Sequence, residues 1–445
     1  MKKYFIKTYG CQMNQADSLL VSSILNNAGF ERTENINEAE IILILTCAVR
    51  EHAEKRALGE IFSLSSLKKK KRCLLGILGC MAKSLKEKIS GGCLKENFCD
   101  FLIGPDNYRQ LPEVIEKKLK NCDQQVLTII EDEKEETYSD FLPAFNNSEI
   151  ESFVTIMRGC NNFCSYCIVP YVRGRERTRP FPTILKEIDF LLNKGSKIIT
   201  LLGQNVLGWK NYDENNQFLE FSDLLAIILE KFPSLRFLHF LTSHPKDLTF
   251  NLIEKIAKLM KKGRLIKEIH LPLQSGSDRI LKLMNRKYTA KEYYEKIKYL
   301  KELVPEVSIT TDLIVGFPSE TEEDYEATVE MVKKIQFNFA YMFKYSERPY
   351  TTANNLFPKV SEEVKQERLE KLIKIQNEIT KRKNEEMINK HYYIIVTKKQ
   401  NGESWGRAEN NKLVVVKKEL TLGEEYLVKI LKIDGWTPIG EVIKN

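Results

Sequence analysis

The sequence predicts an α/β protein with an N-terminal parallel α/β domain, a partial (β/α)6 barrel and a small antiparallel β-barrel at the C-terminus. Three observations predict it. Short apolar runs alternate with amphipathic helical stretches over most of the chain, the signature of parallel sheets. An acidic segment with little apolar periodicity, including "EDEKEETYSD", interrupts that alternation and reads as a linker over 121–150. From His391 the helical period gives way to short strands and turns. With 445 residues the chain divides into several cores, at 1–120, 151–378 and 379–445.

In the first part, "KYFIKTYGC" reads as a strand ending near Cys11, followed by a helix from about Asp17 to Asn27. "EIILILTC" is a strand ending at Cys47, followed by the charged helical stretch "REHAEKRALGEIFSL". "RCLLGILGC" ends at Cys80 and again hands over to a Lys-rich helix; "DFLIG" precedes a helix around Leu111–Leu119. Cys11, Cys47 and Cys80 are 36 and 33 residues apart, one strand–helix repeat each. Such positions share the carboxyl edge of a parallel sheet, where ligands bind. The spacing therefore predicts three converging thiols. Cys73, Cys93, Cys99 and Cys122 lack that setting.

The second part carries strand-like runs at "SFVTIMRGC", "KIITLLGQN", "LRFLHFLTSHP", "KEIHLPLQSG", "VSITTDLIVGFP" and "FNFAYMFKYS". Helical stretches such as "TILKEIDFLLNKG" and "NLIEKIAKLMKKG" separate most of them. Six units make three quarters of an eight-unit barrel and leave an open side suited to a large substrate. A charged helix, about Ser361–Asn389, leads to a tail with a Lys/Arg excess. Small β-barrels of that composition hold nucleic acid or serve as structural caps. Net charge is +8, from 69 basic and 61 acidic residues, a bias compatible with RNA binding. The N-terminus lacks a signal-like apolar run, and "IILIL" falls far short of the roughly 20 residues a membrane span needs. A cytoplasmic protein without membrane contact is expected. There, ten cysteines point to metal or catalysis rather than disulfides.

"MRGCNNFCSYCIVP", residues 157–170, is the most specific stretch. Cys160, Cys164 and Cys167 follow the first barrel strand and so stand at the carboxyl-end mouth, where barrel active sites are built. Three thiolates on a four-iron cluster leave one iron open to a small chelating molecule; zinc with a distant fourth ligand is the alternative. Cys-x3-Cys-x2-Cys with Tyr166 before the last cysteine resembles the radical S-adenosylmethionine (SAM) superfamily. "YGCQMNQADS", "TCAVREHAEK", "GCMA" and the triplet together resemble its methylthiotransferase family over nearly the whole chain, with a TRAM-like C-terminal domain. Gln12-Met13-Asn14 and Val49-Arg50-Glu51 resemble the branch acting on tRNA.

That resemblance implies two 4Fe-4S clusters. One is held by Cys160, Cys164 and Cys167 and binds SAM; an auxiliary one, on Cys11, Cys47 and Cys80, is where sulfur is delivered. It implies SAM contacts from Tyr166 within the triplet and from Gln204, Asn205, Gln274, Ser275 and Gly316, these last at strand ends where an ordinary turn is the other reading. His239, His244 and His270 read as packing residues, since radical chemistry requires no base. The implied reaction converts N6-isopentenyl(dimethylallyl)adenosine at tRNA position 37 to its 2-methylthio derivative, with electrons from a flavodoxin or ferredoxin and the anticodon arm held by the basic tail. Action on N6-threonylcarbamoyladenosine, action on a ribosomal protein, and a non-catalytic metal-stabilised RNA-binding protein are the alternatives. Leu45 before Thr46-Cys47, Leu207-Gly208 after "GQNV" and Tyr350-Thr351-Thr352 depart from the family's usual residues, and none removes a cluster ligand.

Overall fold

The computed structural model describes residues 2–48, 51–71, 73–92, 98–120, 125–131, 135–145 and 149–444. Cys93, Cys122 and the Val49-Arg50 pair lie outside the described residues. The N-terminal sheet contains β1 (Lys3–Thr8), β2 (Glu31–Arg32), β3 (Ile41–Thr46), β4 (Leu74–Gly79), β5 (Phe101–Ile103) and β6 (Leu127–Ile129). Their order is β2-β1-β3-β4-β5-β6, and every pairing is parallel. "IILILT" forms β3 and is buried at every position, because helices cover both faces of a parallel sheet.

The segment read as a linker does more than connect. It supplies β6 to the sheet edge, and Tyr138 stacks on Tyr108 at 5.8 Å with its hydroxyl donating to the Pro105 carbonyl. Its acidity belongs to a surface rim: Glu136 and Asp140 pair with Arg109.

Six further parallel strands form an open arc in chain order. Leaving β8 (Met157–Arg158) and β9 (Arg177–Thr178) as a separate antiparallel pair, β7 (Glu151–Thr155), β10 (Ile198–Leu202) and β13 (Phe237–Phe240) make one half. β11 (Lys210–Tyr212) and β12 (Phe218–Glu220) form a hairpin beside it. β14 (Glu268–His270), β15 (Ser308–Val315) and β16 (Phe339–Lys344) make the other half. A parallel bridge between Leu238 and Leu265 joins the halves. Amphipathic helices wrap the outside. Phe250–Lys261, for example, is N-capped by the Thr249 hydroxyl and buries Leu252, Ile253, Ile256, Leu259 and Met260.

The helix Glu362–Glu385 then leads to a closed barrel of β17 (His391–Gln400), β18 (Glu403–Ala408), β19 (Leu413–Val416), β20 (Glu425–Asp434) and β21 (Thr437–Lys444). All its pairs are antiparallel except β19 with β21. Closure removes free sheet edges. This barrel sits against the amino ends of the arc's strands, away from the mouth. Arg407 donates two hydrogen bonds to Glu151 at 2.7 and 3.1 Å, Asn411 donates to Glu268 at 2.6 Å, and Ile395 packs with Ile198, Phe237 and Ile266. Glu151 and Glu268 begin their strands.

Arg407→Met should therefore lower stability by about 1.5–3 kcal/mol, the worth of hydrogen bonds to a charged group. Denaturant titration of the full chain checks this; an unchanged midpoint would mean the docking does not depend on the Arg407–Glu151 pair.

Candidate functional site

Registers in the first sheet place the three N-terminal cysteines side by side. Thr8 pairs with Leu45 and Thr46 with Gly79, so Cys11, Cys47 and Cys80 leave three adjacent strands at one edge. Cys11 caps the helix Gln12–Asn27, its carbonyl accepting the Asn14 amide at 3.0 Å. Gly10 has φ +116°, and a Cβ there would lie 2.3 Å from the Cys47 Cβ, so only glycine admits this approach. Cys47 and Cys80 are 1 % and 2 % exposed, while Cys11 is partly exposed. A hydrogen bond from Cys47 lowers the Cys11 thiol to about 6 against the opposing effect of burial, with the Arg173 charge assisting. Burial pushes the Cys80 thiol up, partly offset by Arg173, whose Nε donates to Cys80 Sγ at 3.2 Å.

The second triplet lies on the loop after β7 and β8. The Cys160 amide donates to the Gly174 carbonyl at 3.2 Å and Cys167 to the Cys164 carbonyl at 2.9 Å. Ser165 ties the loop to the far side of the arc through the carbonyls of Leu283 and Met284. Arg286 Nη1 donates to Cys164 Sγ at 3.2 Å and Nη2 to the Pro272 carbonyl at 3.1 Å. Burial raises the Cys160 thiol and pushes that of Cys167 up to about 12. Among the described residues no group of three His, Cys, Asp or Glu side chains is arranged to hold a metal ion. A four-iron cluster binds each thiolate through a separate iron and makes no such demand. Both sets are all-thiol, and each has one buried guanidinium on a sulfur; the residues fit anionic thiolate-bound clusters.

The expected SAM contacts divide into two groups. Gln204 lies two residues past β10 and Gln274 follows β14 with φ +71°, and each has a buried Oε1 with no partner among the described residues. The others are engaged by their own chain. Asn205 donates to Asp247 at 2.7 Å and accepts from the His244 amide at 3.0 Å. Ser275 is fully buried, 3.3 Å from the Thr328 hydroxyl, and accepts the Ser277 amide at 3.2 Å. Gly316 has φ +70° and donates to Glu320 at 2.6 Å; a Cβ there would stand 2.2 Å from the Lys365 side chain, so what comes close is the helix Glu362–Glu385. Tyr166 packs with Ile280, Met284, Phe317, Tyr345 and Ala353. His239 pairs with Glu268 and His270 with Asp312, each at 3.5 Å, while His244 Nδ1 accepts the Lys246 amide at 3.2 Å.

Sequence reasoning missed the residues between the two sets. Asp17, 1 % exposed, accepts from Arg158 and from Arg173, both at 2.9 Å. Arg173 also donates to Asn14 at 3.0 Å, and Arg177 grips Asp106 at 2.9 and 3.0 Å. The signal available was arginine density: Arg158, Arg173, Arg175, Arg177 and Arg179 crowd the flanks of one cysteine loop.

Residues 154–332 match the radical SAM superfamily, and residues 3–104 match an uncharacterized protein family, UPF0004. Among solved structures, the radical SAM methyltransferase TsrM from Kitasatospora setae superposes with a TM-score of 0.58 at 13 % identity, covering 79 % of this chain and 75 % of that one. The open arc with its cysteine triplet at the mouth is a radical SAM fold. Over 448 residues the chain is 43 % identical to a tRNA-2-methylthio-N(6)-dimethylallyladenosine synthase of Azobacteroides pseudotrichonymphae, covering 99 % of this chain and 97 % of that protein. A synthase of the same name from Porphyromonas gingivalis (strain W83) is 40 % identical over 100 % of this chain and 96 % of its own length. The chain belongs to the methylthiotransferase family of radical SAM enzymes.

Asp17→Asn leaves Arg158 and Arg173 buried without their shared counter-ion, a loss of about 3–5 kcal/mol. Thermal unfolding of the full chain should show a correspondingly lower midpoint. A midpoint within error of the parent would mean that the interface does not rest on this pair.

Proposed function

We propose that the protein converts N6-isopentenyl(dimethylallyl)adenosine at position 37 of tRNA to its 2-methylthio derivative. The observation that carries this reading is likeness at about 40 % identity, over the whole length, to enzymes named for that product. Replacing an aromatic C–H by C–S lies beyond acid–base chemistry, because that hydrogen is neither acidic nor a leaving group. A SAM-bound 4Fe-4S cluster supplies the one-electron chemistry such a replacement requires.

The chain's own residues set the stage for it. Cys160, Cys164 and Cys167 hold the SAM cluster and leave one iron for the amino and carboxylate groups of SAM. The unpartnered Oε1 atoms of Gln204 and Gln274 accept hydrogen bonds from SAM N–H or O–H groups. A second 4Fe-4S cluster sits on Cys11, Cys47 and Cys80, the thiols gathered at the edge of the neighbouring sheet. The arc's open side admits an anticodon arm, whose loop bases can be splayed out and read by stacking and edge contacts. Exposed lysines of the C-terminal barrel, among them Lys398, Lys399, Lys417 and Lys418, provide electrostatic hold on its backbone. A flavodoxin or ferredoxin delivers electrons. No described helix is long and apolar enough to cross a membrane, and we place the reaction in the cytoplasm, where tRNA is found.

The test is nucleoside mass analysis after anaerobic incubation of reconstituted protein, SAM and strong reductant with isopentenylated tRNA. The 2-methylthio product should form, with about eight irons per chain for two four-iron clusters. Cys160→Ala and Cys47→Ala should each abolish product, and each should lower the iron count to about four. SAM cleavage without this product would redirect the reading to another nucleoside or to a ribosomal protein; few irons and no cleavage would favour a non-catalytic RNA-binding protein.

A further inference from the structure

The buried network between the two cysteine sets ends on a sulfur. Asp17 is shared by two buried guanidinium groups, those of Arg158 and Arg173. A buried guanidinium needs an anion, and a structural arginine without one is costly. Arg173 is where this network meets sulfur: its Nε donates to Cys80 Sγ at 3.2 Å, and its Nη1 is buried with no partner among the described residues. The other donors of the fork are fixed by Asp17 and Asn14, so the group is held and cannot swing to solvent. Its backbone is fixed as well, since Gly174 next to it accepts the Cys160 amide and the Arg173 carbonyl accepts from Arg177. The core triplet has a counterpart in Arg286 on Cys164, also at 3.2 Å and held by the Pro272 carbonyl.

We infer that Arg173 is a positioning residue for the auxiliary cluster: it binds the Cys80 thiolate through a charge-assisted N–H···S bond, neutralises part of the cluster's negative charge, and fixes that cluster relative to the Cys160 loop. This rests on the reading of Cys11, Cys47 and Cys80 given under Proposed function. A cation hydrogen-bonded to a ligating sulfur favours the reduced, more negative state and raises the reduction potential. Its loss must move the potential down.

The experiment uses the full chain with Cys160, Cys164 and Cys167 all changed to Ala, so that only the auxiliary site is loaded, and reads iron content and midpoint potential by EPR-monitored titration. About four irons per chain are expected before any further change. Arg173→Met should shift the midpoint to more negative potential. Arg173→Lys, which keeps the charge but loses the fork, should shift it less. Arg407→Met removes an ion pair at the amino end of the arc, away from both cysteine sets, and should leave the midpoint in place. A loaded Arg173→Met chain with an unmoved midpoint overturns the inference, as does an equal shift in Arg407→Met. Should Arg173→Met fail to fold or to keep its iron, Arg173→Lys decides: a negative shift supports the bond and an unmoved midpoint overturns it. A parent triple variant that takes up no iron overturns the cluster reading itself, and the inference with it.

Discussion

The arrangement depends on one buried carboxylate. Asp17 lies on the first helix of the N-terminal sheet and holds Arg158 and Arg173, which flank the Cys160 triplet on the adjoining arc. Neither guanidinium could be buried alone, and the carboxylate that pairs with both belongs to the N-terminal unit, across the interface from them. The two halves are therefore joined by charge as well as by apolar contact. The pairing also fixes orientation: a bidentate pair such as Arg177 on Asp106 tolerates little rotation, so the two cysteine sets are held in a defined relation.

A second constraint is common to both halves. In parallel α/β structure the loops that follow the strands gather at one edge, and ligands bind there. Cys11, Cys47 and Cys80 follow β1, β3 and β4, while Cys160, Cys164 and Cys167 follow the opening strands of the arc. Each set sits at its own carboxyl edge, and the segment around Arg173 links the two. Arg173 contacts Cys80 from the segment whose backbone is bonded to Cys160. No long connection or separate docking element is needed to bring the two sites to one interface.

Much of this was legible in the sequence, because it depends on period and spacing. "IILILT" as a fully buried central strand, the repeat of about 35 residues between the N-terminal cysteines and the six strand–helix units all follow from patterns set by the chain's local geometry. What was not legible depends on partners distant in sequence. The strand at Leu127–Ile129 sits in an acidic stretch whose three residues gain their place only from the exposed edge of β5. Asn205, Ser275 and Gly316 occupy strand ends as expected, yet their polar groups or space are taken by Asp247, Thr328 and Lys365, which lie 42, 53 and 49 residues away in the chain. Gln204 and Gln274 have the same residue type and setting but keep an unpartnered acceptor. Only the fold tells these cases apart.

The docking of the C-terminal barrel completes the spatial logic. Arg407 and Asn411 meet the first residues of β7 and β14, so the barrel covers the amino end of the arc and leaves the mouth clear. The arc's last strand, β16, turns Phe339, Tyr341 and Phe343 to an exposed face, and these share their side of the sheet with Thr310, Asp312 and Ile314 by register. Sulfur-bearing residues thus lie at one end, a basic module at the other, and a partly exposed aromatic edge runs between them. For a substrate as long as a tRNA this separation is useful. In nucleic-acid recognition generally, electrostatic hold on the backbone can act at a distance from the base that is read by stacking and edge contacts. The barrel docks through residues that take no part in the ion pairs beside the thiols, so it could change without disturbing them.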